Sequence, residues 1–156
     1  MKEIERKFLV KEEEFAKLNL TLGEDILQGY LKNTPTLTIR LRVTKNIAFI
    51  TIKGATTGIS RDEFEYEIPK KDALELFDKY ISQKIKKKRY SIVFENKKWE
   101  IDVFSENLSG LIIAEVELNS EFEQIVIPSW CNKEVSTDSR YFNAELIKQE
   151  GTTNLV

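Results

Sequence analysis

Glu3, Glu5 and Lys7 stand at alternate positions in the opening segment MKEIERKFLV, and the same residue types return in the same spacing along most of the chain. In an extended strand, side chains at i, i+2 and i+4 leave from one face. Two carboxylates and an ammonium would then share a surface, with Ile4, Phe8 and Val10 on the other side and Arg6 among them. Later segments place Arg40 with Arg42, Thr51 with Lys53, Arg61 with Glu63, Glu65 and Glu67, Lys87 with Arg89, Glu100 with Asp102, and Glu115 with Glu117. Arginine and lysine donate to phosphate oxygens, arginine as a two-pronged fork, whereas carboxylates hold hard divalent cations. A surface carrying both sets is equipped for metal-assisted chemistry on a phosphate-bearing ligand.

Composition narrows the chemistry further. The chain contains no histidine, which removes Ser-His-Asp and Cys-His catalysis and the usual Cys/His zinc sites. Any metal must be held by carboxylates, which favours magnesium or manganese. A net charge of -2 excludes an overall basic bait for nucleic acid or a membrane surface, though not a local basic patch. The lone Cys131 cannot close an intramolecular disulfide, and the N-terminus is charged where a signal segment would be apolar, so a cytoplasmic protein is expected. At 156 residues the expectation is a single domain over 1–156, with a core large enough to need no staples. A monomer or a homodimer fits that size.

The elements that must carry these residues are mostly strands. After the first strand, Lys11 to Leu18 reads as one or two helical turns, and Asp25 to Asn33 as a strand with Gln28 and Tyr30 on one face. TLTIRLRVTKN alternates Ile39, Leu41 and Val43 with Thr38, Arg40 and Arg42, and AFITIKG follows as its hairpin partner. Gly54 to Ser60 is a loop of small residues, and RDEFEYEIP is a strand ended by Pro69. Lys70 to Ile81 has the spacing of an amphipathic helix, with Ala73, Phe77 and Tyr80 on its apolar side and Leu74 and Ile81 beside them. Three strands, Ile85 to Glu95, Lys97 to Glu106 and Leu111 to Asn119, form a meander with turns at Asn96-Lys97 and Leu108-Ser109-Gly110. The tail from Ser139 to Gly151 reads as a helix capped at Asp138 or Ser139.

Eight strands joined mostly by short turns suggest a β-rich α+β fold, a closed antiparallel barrel with a few helices outside. Alternation alone leaves two arrangements open, since a small barrel can fill its lumen with the apolar face and turn its charges to water. Two observations favour the reverse. Charges are sorted by strand into runs of one sign, and the amphipathic segments at Lys70 to Ile81 and Ser139 to Gln149 need an apolar surface to cover. Charges turned inward would form a tunnel carrying both signs, which is stable only around a highly charged ligand or with internal pairing.

The motifs EIERKF, QGYL at Gln28 to Leu31, RLR at Arg40 to Arg42, TIKG at Thr51 to Gly54, SRDEFEYEI at Ser60 to Ile68, KKR at Lys87 to Arg89, WEIDVF at Trp99 to Phe104, AEVEL at Ala114 to Leu118 and RYFNAEL at Arg140 to Leu146 occur in one order along the chain. In that order they resemble the CYTH family, the triphosphate tunnel metalloenzymes. The resemblance implies an eight-stranded antiparallel tunnel, a small-molecule triphosphate substrate and dependence on Mg2+ or Mn2+. Residue by residue, it implies metal ligation by Glu3, Glu5 and Glu117, with Glu115 close by and Asp102 as a candidate ligand of a second metal or a group that orients the attacking water. It implies triphosphate binding by Lys7, Arg40, Arg42, Lys53, Lys87 and Arg89. Catalysis would fall to Glu5, Lys7, Glu63 and Glu65, the last two orienting the attacking water or a second metal. The family hosts several reactions on one clamp. Hydrolysis of inorganic tripolyphosphate or a related organic triphosphate is the leading expectation, with class IV adenylate cyclisation and non-catalytic polyphosphate binding as alternatives.

Overall fold

A computed structural model describes residues 2–156. Among these residues nine strands are present, β1 (Lys2–Val10), β2 (Glu24–Asn33), β3 (Leu37–Val43), β4 (Ala48–Gly54), β5 (Ser60–Ile68), β6 (Lys84–Phe94), β7 (Lys97–Phe104), β8 (Ile112–Glu117) and β9 (Cys131–Glu134). Helices are few: α1 (Glu12–Lys17), α2 (Lys70–Tyr80) and α3 (Asn143–Leu146). The pairing order β5-β4-β3-β2-β6-β7-β8-β1 returns on itself where β1 meets β5, through Lys2 with Asp62, Glu3 with Arg61 and Ile4 with Ser60. Every pairing is antiparallel, and β9 is a short extra strand laid against β1. No helix among the described residues is long and apolar enough to cross a membrane.

Alternation sorts the two faces of these strands. On the outer side Leu41, Val43 and Ala48 are buried by Ala73, Phe77 and Ile81 of the α2 segment. Only that narrow stripe of α2 is buried, and Leu74 and Tyr80 face solvent. The glycine of the QGYL motif makes this contact possible, because a Cβ on Gly29 would sit 2.5 Å from Ile81 Cγ2 and 2.9 Å from Phe77 Cε1. A second outer cluster joins Phe8, Trp99, Ile101, Ala114 and Val116 under Trp130, with the Trp99 and Trp130 rings 5.4 Å apart. The outer side of β5 is bare, leaving Phe64 and Tyr66 half-exposed.

The inner faces divide into two zones. Strands that carry Lys7, Lys87, Asp102 and Glu115 continue on the same face, two residues away, with Leu9, Ile85, Phe104 and Ile113. These apolar residues form a cluster with Leu111, Val135 and the tail residues Tyr141, Leu146 and Leu155. The interior is therefore charged at one end and apolar at the other, where the tail covers it. That packing breaks the single helix expected from Ser139 to Gly151. One 3-10 turn at Ser139–Tyr141, capped by the Asp138 side chain, gives way to extended backbone at Phe142 before α3 begins. A straight helix could not deliver both Tyr141 and Leu146 to the same apolar floor. The β6–β7 turn is also shifted by one residue: Glu95 and Asn96 take its positive φ values, 46° and 60°, and Lys97 already belongs to the strand.

Candidate active site

The charged zone opens into a cavity of about 610 Å³. Eight cations line it, namely Lys7, Arg40, Arg42, Lys53, Arg61, Arg89, Lys97 and Lys98. They face seven carboxylates: Glu3, Glu5, Glu63, Glu65, Glu100, Glu115 and Glu117. Asn119 and Asn143 complete the wall, and among the described residues no aromatic or aliphatic residue lines it.

Strand register sets which charges meet. Lys7 stands opposite Glu115 and Glu5 opposite Glu117 in the β1–β8 pairing, and Lys53 stands opposite Glu63 between β4 and β5. Lys7 Nζ lies 2.5 Å from Glu115 and 2.6 Å from Glu5. Burial lowers the affinity of this lysine for its proton, but Glu115 and Glu5 outweigh it and hold the pKa above the ordinary value. Lys53 Nζ lies 2.8 Å from Glu3 and 2.7 Å from Glu63, yet burial and the nearby Arg40 leave its pKa lowered. Arg61 Nε donates to Glu3 at 2.8 Å. Glu65 accepts from Arg42 at 3.1 Å, Arg40 at 3.4 Å and the Thr51 hydroxyl at 2.7 Å.

Glu117 differs from the other six acids. Among the described residues its carboxylate has no ion-pair partner. Burial, followed by Glu3, Glu63, Glu5 and Glu100, raises its pKa. This point of uncompensated negative potential is where a hard cation would be most stabilising, and its charged donors are carboxylates, with the amide oxygens of Asn119 and Asn143 on the same wall. Among the described residues no three acids already stand together as a ligand cluster. The reason is visible in the pairing, since Lys7, Lys53 and Arg61 turn Glu3 and Glu5 toward themselves. The donor chemistry fits a divalent ion, and Glu3, Glu5 and Glu117 are the residues that could hold it.

Two of the expected site residues do not reach the cavity wall. Lys87 and Asp102 form an ion pair of 2.5 Å with both side chains only 1% exposed, one layer behind it. Asp102 feels burial first, but Lys87 and Arg89 outweigh it and hold the carboxyl below its usual range. Lys87 is lowered to about 8 by burial, with Arg89 adding repulsion against the pull of Asp102. Glu67, on the same strand face as Glu63 and Glu65, is exposed and outside the cavity. Arg61 was legible as a same-face neighbour of Glu63 but not as a cavity cation, a role that follows from its register with Glu3. Lys98 and Asn119 extend by one step the alternation of Glu100 with Asp102 and of Glu115 with Glu117, whereas Lys97 and Asn143 carry no spacing signal that would mark them.

Sequence and fold comparisons agree on the relatives. A sequence model described as the CYTH domain matches residues 1–149. The chain is 41% identical over 149 residues to an inorganic triphosphatase of Acetivibrio thermocellus, covering 94% of both proteins. It is 36% identical over 151 residues to an inorganic triphosphatase of Nitrosomonas europaea, covering 94% of this chain and 97% of that one. A solved structure of an inorganic triphosphatase superposes with a TM-score of 0.64 at 31% identity, covering 95% of this chain and 99% of the other. With the strand circuit, the ordered motifs and the relatives in agreement, this chain belongs to the CYTH domain family.

Proposed function

We propose that the chain is a single CYTH unit whose strand circuit acts as a closed, charged tunnel, and that it hydrolyses inorganic tripolyphosphate with a divalent metal. The observation that carries this reading is the cavity lining: among the described residues it consists of eight cations, seven carboxylates and two asparagines. A nucleoside or a thiazole ring would need an apolar platform. A bare polyphosphate needs only charge.

In the ligand-free protein the cations satisfy the acids. A tripolyphosphate entering the cavity would take over Arg40, Arg42, Lys53, Arg61 and Arg89, offering several oxygens to cations that now hold between one and three carboxylates each. Glu3, released from Lys53 and Arg61, would hold the metal together with Glu117, unpaired among the described residues, and with Glu5, which stays beside Lys7. When bound, a divalent cation supplies charge neutralisation on the phosphate oxygens and a water of lowered pKa. Lys7, held protonated by Glu5 and Glu115, can stabilise the charge that builds on the departing phosphate. Glu63 and Glu65, on the β5 strand that pairs with β1, would orient the attacking water in line.

The test is a side-by-side assay of the purified protein with tripolyphosphate, ATP and thiamine triphosphate, with Mg2+ or Mn2+ and with excess chelator, identifying every product. The expected result is metal-dependent release of phosphate and pyrophosphate from tripolyphosphate at higher kcat/KM than for the other two. Cyclic AMP and pyrophosphate as the main products from ATP, formed faster than tripolyphosphate is cleaved, would overturn it in favour of cyclisation.

A further inference from the structure

Asp102 sits opposite Arg89 in the β6–β7 pairing and opposite Ile113 in the β7–β8 pairing, at the boundary between the charged and apolar zones. Its Oδ1 accepts from Arg89 Nε at 2.6 Å and its Oδ2 from Arg89 Nη2 at 2.7 Å. Such a two-pronged contact fixes both the plane and the position of a guanidinium. Oδ2 also accepts from Lys87 Nζ at 2.5 Å. Lys87 Nζ in turn lies 3.4 Å from Asn143 Oδ1, and Asn143 and Arg89 both line the cavity. One buried carboxylate thus holds two cavity-lining groups, Arg89 directly and Asn143 through a lysine. A divalent ion has no approach to it, because the donors around its oxygens are themselves cationic and its side chain is 1% exposed.

We propose that Asp102 is a positioning residue, which aims Arg89 into the cavity and seats Asn143 through Lys87, and that it does not ligate metal. The inference rests on the triphosphatase reading of the cavity, since Arg89 matters here as a phosphate donor. Removing the Asp102 charge would free Arg89 to swing fully onto Glu100 and Glu115, which it already contacts. The forked donor would then be lost to the ligand although its own atoms remain.

The experiment compares the full chain with Asp102→Asn and with the double variant Asp102→Asn/Lys87→Met. The second removes the buried lysine charge that the first leaves unpaired. Thermal melts identify folded variants, and the double variant carries the measurement where the single one fails to fold. Calorimetry with tripolyphosphate alone and with Mn2+ alone is then set beside steady-state kinetics. Positioning predicts unchanged Mn2+ affinity, tripolyphosphate binding weakened about tenfold to a hundredfold, and a KM raised more than kcat is lowered. Adding Arg89→Ala to Asp102→Asn should weaken binding little further, because the two act as one unit. Lost Mn2+ binding with tripolyphosphate affinity retained would make Asp102 a metal ligand and overturn the proposal. Unchanged tripolyphosphate affinity in a folded variant would also overturn it, leaving the triphosphatase reading intact. If the unaltered chain neither bound nor cleaved tripolyphosphate, that reading would fall and the positioning role with it.

Discussion

Glu5 and Glu117 are direct partners across the antiparallel pairing of β1 and β8, two like charges on one face of the sheet. Cross-strand partners have Cβ atoms about 5 Å apart, and like charges there are destabilising. Glu5 is relieved by Lys7 at 2.6 Å, whereas Glu117 meets no cation among the described residues and feels Glu3, Glu63 and Glu100 as well. Holding acids this way costs stability in the ligand-free protein, and it leaves a charge deficit that a divalent ion would fill.

Glu117→Gln keeps the shape of the side chain and removes that charge. It should lower metal-dependent turnover of tripolyphosphate by about 10²–10³-fold, the scale of a group that stabilises developing charge. The melting temperature should hold or rise, since one of the clustered acids is gone. Calorimetric titration with Mn2+ gives the independent reading. Unchanged Mn2+ affinity together with full activity would remove Glu117 from the metal site.

Arg42→Ala and Arg89→Ala each delete a forked, permanently charged donor from the cavity wall. Tripolyphosphate affinity should fall about tenfold to a hundredfold, while the affinity for monophosphate changes far less because a single phosphate can settle on the remaining cations. Calorimetry with both ligands in the absence of metal checks this. Equal losses for the two ligands would place these arginines outside the clamp.

Leu146 is fully buried where the tail covers the apolar end of the interior. Leu146→Ala should lower stability by about 2–5 kcal/mol in denaturant unfolding, the range for a buried leucine deleted from a packed core. A cost under about 1 kcal/mol would mean that the tail is not part of the folded interior.

Acid should unfold the protein through the paired carboxyls of the interior. Asp102 and Glu115 both have folded-state pKa values below the ordinary carboxylate range: burial opposes this, and Lys87 with Arg89, or Lys7 with Arg89, outweigh it. The unfolded chain therefore takes up protons first. The stabilisation is fully present above the ordinary carboxylate pKa and is lost as pH falls from roughly 5 toward 1. Thermal melts across that window should show the loss, and Glu115→Gln should flatten the curve. A curve equally steep in Glu115→Gln would assign the acid sensitivity to other groups.

Much of this protein is settled locally. Period-two alternation decides which side chains share a face, so the pairing of Glu3 with Glu5 and Lys7, of Arg40 with Arg42 and of Glu63 with Glu65 is legible from spacing alone. The outward turn of Leu41 and Val43, and the α2 stripe of Ala73 and Phe77 that covers them, follow from the same periodicities. Height along the interior is not local. Whether an inward residue reaches the cavity depends on which residue of the next strand it faces, and that register is fixed by pairings between distant parts of the chain. Register brings Arg61 beside Glu3 and Glu5 opposite Glu117, and it sets Lys87 and Asp102 one layer behind the wall. The tertiary structure alone also decides that Leu9, Ile85 and Ile113, on the same faces as the charges, form an apolar floor. The tail can cover that floor only by breaking its helix at Phe142.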